Sequence, residues 1–352
     1  MFLRNSWYMA GWSRSFNSDH LVVRDILDEA IVFYRTTGGR LIAMEDRCCH
    51  RFAPLSAGRV EGDDLRCLYH GLKFGADGQC NEIPQQPGKP ISAAVRVRTY
   101  PIVEKHGAVW IWMGDPGRAD AELIAPIVGP DEGPWSMLPG EMVIAANYAL
   151  LNDNLLDLTH VAYVHRNSFG RGKEVQTAEF AKIPVKTTKL ENGVRVERWM
   201  PNDLAPPYIA EILPGVDKVD FYMHTDFLIP GIFILNTRMY EAGTLDRCST
   251  GGLEAQAPIF AEYSCQAITP VNQSRSAYFF ALGPWKQHAH LKQMYLDLGQ
   301  LAFSEDRAML ESQQRVIERN PQRRMMNLAA DHAAASFRAR MSALMQAERV
   351  ES

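Results

Sequence analysis

Cys48-Cys49-His50 and Cys67-Leu68-Tyr69-His70, with sixteen residues between them, are the two runs on which the reading of this 352-residue chain turns. A C-x-H followed by a C-x-x-H sets two thiolates and two imidazoles on paired loops. Gly71, directly after His70, lets backbone pass close to that centre. Such a donor set can hold a tetrahedral zinc, or a 2Fe-2S cluster in which two cysteines bind one iron and two histidines the other. Clustered cysteines in a protein of this size point to metal before disulfides. The remaining cysteines, Cys49, Cys80, Cys248 and Cys265, read as packed thiols.

The flanks of the two loops are β in character. Ile31–Arg35 and Leu41–Met44 bracket Gly38-Gly39, a hairpin signal, and Val109–Met113 is a buried strand closed by Gly114-Asp115-Pro116. Gly and Pro at short intervals predict a small all-β sandwich or barrel. The Pro/Gly-rich stretch from Pro126 to Pro139 marks a crossing, which divides the chain into domains 1–125 and 126–352. The second domain opens with a helical stripe between Asn147 and His165. Strands follow over 176–282, then helices over about Leu291–Ile317 and Phe337–Ala347. Strands with helices packed on an antiparallel sheet give an α+β fold class.

A second constellation lies on the helical stripe: Asn154-Leu155-Leu156-Asp157-Leu158-Thr159-His160-Val161-Ala162-Tyr163-Val164-His165. One histidine on an apolar helix face is ordinarily structural. Two after an aspartate must be paired or metal-bound to offset their desolvation. Residues five apart on an α-helix sit roughly 140° apart around the axis, so His160 and His165 share an ion only if the helix distorts or ends between them. A break is predicted there. The long C-terminal helix carries an apolar stripe of Leu291, Met294, Tyr295, Leu298, Leu301, Ala302, Met309 and Leu310. Asp306 falls on it, while Glu305 is displaced from it. His160, His165 and Asp306 together make two imidazoles and one carboxylate, the facial triad that leaves positions open on Fe(II).

These segments resemble the Rieske non-haem iron oxygenases. The C-x-H-R and C-x-Y-H-G loops are Cys48 to Arg51 and Cys67 to Gly71, with Cys49 where the family commonly has proline. The D-x-x-H-x-x-x-x-H segment is Asp157 to His165, and the late aspartate is Asp306. In length and wording the chain is similar to the smaller members, of the vanillate O-demethylase, dicamba monooxygenase and toluenesulfonate methyl-monooxygenase type. The resemblance implies a 2Fe-2S cluster on Cys48, His50, Cys67 and His70, and mononuclear Fe(II) on His160, His165 and Asp306. It also implies dioxygen as co-substrate and hydroxylation or demethylation of a small anionic aromatic. In the family the aspartate matching Asp157 links a mononuclear-site histidine to a cluster histidine of the next subunit. A homotrimer is therefore expected, with Asp157 between His160 and the neighbour's His70, and Asn154 near the open face of the iron. The alternative is a Rieske electron carrier, which needs none of the second constellation.

Polar residues on apolar strands, His224, Asn236, Arg238 and Gln266, are the candidates for the substrate pocket, with aromatic walls from Tyr278, Phe280 and Trp285. No G-x-G-x-x-G follows a strand, so electrons are expected from a separate NAD(P)H-dependent reductase, with or without a ferredoxin. A net charge of −4 without a basic patch argues against nucleic acid. Neither a signal peptide nor an apolar run long enough to span a membrane is visible, which makes the cytoplasm the expected address.

Overall fold

The first hairpin forms where Gly38-Gly39 marks it: Glu29–Arg35 pairs antiparallel with Leu41–Glu45, Arg35 opposite Leu41. Val22–Ile26 completes that sheet. Trp7–Trp12, Ala108–Trp112 and Ile102–Lys105 make a second three-stranded sheet. Four short strands, from Arg59–Glu61 to Cys80–Glu82, make a third. This is a computed structural model, and it describes all residues except 18–19, 166–167, 169–181, 207–208, 249–251, 253–255 and 352. The start of the predicted strand-rich stretch, 176–181, lies outside the described residues.

Backbone contacts divide the chain into two units. One comprises Met1–Ile124 with Thr269–Gln273 and Glu348–Ser352; the other comprises Ala125–Ile268 with Ser274–Ala347. In the first unit Tyr34, Met44, Leu55, Leu65 and Phe74 bury a core that includes Cys48 and Cys67. Burial of those apolar side chains anchors both metal loops on the strands that bear them.

The second unit is built on a seven-stranded sheet. Its order is Leu138–Ile144, Arg275–Pro284, Phe260–Asn272, Ile232–Glu241, Lys218–Leu228, Gly193–Leu204 and Val185–Leu190. The long helix, Lys292–Arg319, lies on the first two of these strands. Gly299 permits that approach, since a Cβ there would come within 2.7 Å of Leu282 Cδ2. The buried face of the helix is Tyr295, Gly299, Ala302, Phe303, Asp306, Leu310 and Gln314, at the three- and four-residue spacing of a single face. Leu301 and Met309 of the expected stripe instead face solvent, at 44% and 54% exposure. Asp306 keeps its place on the buried side, at 4%. The last helix, His332–Glu351, is longer than expected from the sequence. A β unit followed by strands and helices is the α+β architecture. Among the described residues no helix is long and apolar enough to cross a membrane.

Candidate metal centres

The two loops of the first unit face each other through their histidines. The His50 and His70 rings lie 4.6 Å apart between centroids, inclined at 63°, with His50 exposed and His70 half-buried. Cys48 and Cys67 lie beneath them, each 2% exposed. Local hydrogen bonds shape each loop: Cys48 N donates to Ala53 O at 2.9 Å, and Cys67 N to Leu72 O at 2.8 Å. Gly71 turns at φ +78°, and its N–H closes the second loop on Cys67 O at 3.1 Å. Arg66 braces this loop by donating to Gly71 O at 2.7 Å while pairing with Glu61 and Glu82. Burial pushes the Cys48 thiol up to about 12, so it stays protonated until a metal displaces the proton. Cys49 packs against the neighbouring core as a half-buried side chain.

Two buried thiols under two facing imidazoles fit a two-and-two donor set. Among the described residues only His160, His165 and Asp306 bring three possible ligand atoms within 4.8 Å of one another. The two loops present two cysteines and two histidines as mixed donor pairs. They fit a cluster spread over two irons.

The second centre is assembled where the site helix breaks up. Tyr148–Leu156 is α-helical, with Asn147 capping its start by accepting from Ala149 N at 2.9 Å. Asp157 leaves the helical region (φ −113°, ψ 92°), and a 3-10 turn, Leu158–His160, follows. One further turn, Val161–Val164, ends at His165 with φ −88° and ψ 47°. The helix thus ends between the two histidines, and a second interruption at Asp157 precedes both. Freed from a common helix axis, the two rings stand 5.2 Å apart. His160 Nε2 lies 3.4 Å from Asp306 Oδ1, and His165 Nε2 lies 3.4 Å from Asp306 Oδ2. These separations are long for hydrogen bonds. They suit ligands sharing one ion, since metal bonds near 2 Å set neighbouring donors about 3 Å apart. Burial holds the His160 imidazole below its ordinary value, with Asp306 opposing, and so favours the neutral ring that can ligate.

Asp157 departs from the expected pairing. Its carboxylate does not receive His160; Oδ1 accepts from Thr159 N at 2.9 Å, capping the 3-10 turn, and the backbone carbonyl of Asp157 meets His160 Nδ1 at 2.6 Å. The reason is local. Asp157 is the N-cap of the 3-10 turn, where a short Asp side chain turns forward onto backbone and the tight turn brings the His160 ring back over the Asp157 carbonyl. Asn154 donates Nδ2 to Asp306 Oδ1 at 3.1 Å, which orients the carboxylate. Glu305, set aside in the sequence reading, is a functional neighbour: its Oε2 meets His165 Nδ1 at 3.2 Å and accepts from Ser168 Oγ at 2.6 Å. The dipeptide Glu305-Asp306 was the available signal, because adjacent helix positions can reach the two nitrogens of one ring.

Sheet register sorts the pocket candidates. His224 stands opposite Asn236 and Glu197, whereas Thr225 stands opposite Leu235 and Val196, and Gln266 opposite Phe233. Strand side chains alternate between faces, so His224, Asn236 and Arg238 share one face and Gln266 lies on the other. Tyr278 is on the Gln266 side: its hydroxyl donates to Gln266 Oε1, and it lines a narrow crevice with Asn154, Leu155 and Asp306. Burial raises the Tyr278 pKa well above its ordinary value, which keeps it a donor. Phe280 packs edge-on against Phe303 of the long helix, and Trp285 lies against Phe260. Gln266 and Tyr278 thus meet on the side of the iron site, while His224 and Asn236 do not.

Residues 6–101 match the Rieske 2Fe-2S domain family, and residues 144–347 match the vanillate O-demethylase oxygenase C-terminal domain family. The chain is 35% identical over 351 residues to the iron-sulfur subunit of the toluene-4-sulfonate monooxygenase system of Comamonas testosteroni, covering 99% of this chain and 98% of that one. It is 34% identical to a vanillate O-demethylase oxygenase subunit of a Pseudomonas species, covering 99% and 96%. Among solved structures, dicamba monooxygenase bound to dicamba superposes with a TM-score of 0.81 at 27% identity, covering 99% of each chain.

Proposed function

This chain belongs to the Rieske non-haem iron oxygenases as an oxygenase component, and from that premise we propose that it oxidises a methyl or methoxy carbon of a small anionic aromatic. The convergence of His160, His165 and Asp306 within 4.8 Å carries this reading, because a protein that only relayed electrons would need no such triad. Cys48, His50, Cys67 and His70 would hold the cluster, and the triad would hold Fe(II). When bound, the cluster supplies single electrons and the iron activates dioxygen. The chain's own groups do the rest. Asn154 and Glu305 fix the directions of Asp306 and His165. Leu155, Leu151 and Ile144 line an apolar crevice beside Asp306. The hydrogen bond from Tyr278 to Gln266 places a buried polar pair on the same side. Hydroxylation of a methoxy carbon gives a hemiacetal, which collapses to a phenol and formaldehyde.

Toluene-4-sulfonate, vanillate and dicamba, named for the relatives, are all aromatic anions near neutral pH, and this supports the substrate class. The same proposal includes a division near residue 125 into cluster and iron domains, a cytoplasmic address and a separate NAD(P)H-dependent reductase. It further includes a homotrimer in which Asp157, meeting His160 through its backbone carbonyl, lies toward the neighbour's His70. Half-burial of Asp157 is compatible with a partner reaching it. The test supplies a generic reductase, NADH and a panel of methoxy- and methyl-substituted benzoates and sulfonates, and measures formaldehyde and hydroxylated product. Product from one member, coupled to oxygen uptake, is expected. Absence of product from all of them, with cluster and iron both loaded, would sink the substrate class. An active monomer by light scattering would sink the trimer.

A further inference from the structure

The last helix, His332–Glu351, reaches the site helix through a charged contact. Ala333, Ala334, Phe337 and Met341 make its buried face, and Phe337 packs edge-on against Phe227 of the sheet at 4.6 Å. Arg338, the next residue, stands at the rim of that face. Its guanidinium donates from one nitrogen to Asp153 Oδ2 at 2.6 Å and from another to Asn327 Oδ1 at 3.0 Å, a fork that fixes its plane. Asp153 lies in the last turn of Tyr148–Leu156. Its backbone carbonyl accepts from Asp157 N at 3.1 Å, the bond that closes the helix at its break. The Asp157 carbonyl in turn meets His160 Nδ1, and Asn154, beside Asp153, donates to Asp306. The turn that orients His160 and Asp306 is therefore tied, through Asp153, to the last helix.

Stability alone does not account for the pair. Both side chains are half-buried, and Asp153 Oδ1 has no hydrogen-bond partner among the described residues. Burial raises the Asp153 pKa, the Arg338 charge opposes it, and the nearby Asp331 carboxylate adds to the rise. Desolvation of such a pair offsets much of its attraction, and apolar side chains of similar size would hold two helices as well. A forked ion pair adds direction, because it is satisfied in one register only.

We propose that Arg338 is a positioning residue for the mononuclear iron site: by anchoring Asp153, it sets the turn of the site helix from which Asn154 and Asp157 orient Asp306 and His160. This rests on the reading of His160, His165 and Asp306 as metal ligands, and adds that the last helix governs their geometry.

The experiment titrates Co(II) into protein stripped of mononuclear iron with its cluster intact and oxidised. Affinity is measured together with the EPR spectrum of the bound high-spin Co(II), against which the oxidised cluster is silent. That spectrum reports ligand geometry and is not moved by a role confined to stability. Arg338→Gln is expected to weaken Co(II) roughly tenfold and to change the spectrum. Arg338→Lys, which keeps the charge but not the fork, should recover part of the affinity. The paired variant Asp153→Leu with Arg338→Met replaces the ion pair by apolar groups. Its urea unfolding midpoint should stay near that of the wild type, while Co(II) binding remains weak and the spectrum altered. The urea midpoint reports that each variant is folded. Co(II) affinity within about twofold of wild type in Arg338→Gln, with an unchanged spectrum, overturns the positioning role. So does wild-type Co(II) binding in the paired variant, or an affinity that merely tracks the unfolding midpoint. His165→Ala separates the two readings. If it abolishes Co(II) binding while Arg338→Gln binds normally, the metal site stands and the positioning role fails. If the wild type and His165→Ala take up Co(II) alike, both fail.

Discussion

Glu305 carries a quantitative expectation. Its Oε2 lies 3.2 Å from His165 Nδ1, and it accepts from Ser168 Oγ at 2.6 Å, with a carboxylate only 14% exposed. A carboxylate on the far nitrogen of a ligating imidazole fixes the tautomer that leaves Nε2 free. It also holds the ring plane and raises the basicity of the ring. Loss of such a partner typically costs 10- to 100-fold in metal affinity, about 1.4–2.7 kcal/mol. Glu305→Gln retains an acceptor of the same shape but loses the charge. Because charge-assisted hydrogen bonds are about twice as strong as neutral ones, that variant should sit near the lower end. Glu305→Ala removes the acceptor and should approach the upper end. The assay is a Co(II) titration of protein stripped of mononuclear iron with its cluster intact, the cluster spectrum serving as the internal standard for folding. Affinity within twofold of wild type in Glu305→Ala would refute the positioning role, and the ring would then be held by packing alone.

Phe303 lies three residues before Asp306 on the same helix face and meets Tyr278 and Phe280 edge-on, at 5.1 and 4.7 Å. Phe303→Ala should destabilise the second unit by about 3–5 kcal/mol in urea unfolding; a loss below about 1 kcal/mol would show that this contact does not hold the helix. Cys67→Ser should abolish the visible cluster spectrum while leaving Co(II) binding at the triad unchanged, since all three triad residues belong to the other unit. Asp153 pairs with Arg338 at 2.6 Å, and burial raises its pKa against the pull of that arginine. A folded-state pKa above the unfolded value means that the native state holds the proton more tightly. Stability from this group is therefore full at low pH and declines as pH rises through the folded pKa. Arg338→Gln should deepen that decline, costing about 1–3 kcal/mol at pH 7 and less at pH 5. A pH-independent difference from wild type would indicate lost packing and not an unpaired carboxylate.

The candidate metal ligands were legible in the sequence because ligand spacing is a local property. A loop that wraps a cluster must carry its donors within a few residues, and Cys48, His50, Cys67 and His70 do so. Asp306 was legible for a related reason. A carboxylate on a helix face whose neighbours one turn away are buried is visible in the three- and four-residue pattern, even though that pattern misplaced Leu301 and Met309. Helical angle alone required a break between His160 and His165. The α+β order of elements followed from period and punctuation.

What needed the tertiary structure were the choices between two partners or two faces. Strand residues of either parity look alike in sequence until register decides which side meets the helices. For that reason His224 and Asn236 read as well as Gln266 and Tyr278. Asp157 lies beside His160, but whether its carboxylate or its carbonyl would reach the ring depended on the carboxylate being taken up in capping the 3-10 turn. Glu305 was within one residue of a ligand, and only the approach of His165 across 140 residues of chain showed that it reaches the far nitrogen. Composition, spacing and period determine which elements form and which donors they carry. The face each side chain presents is settled by packing between elements distant in sequence, where burial of a charge is tolerated only opposite a partner that the local pattern does not contain.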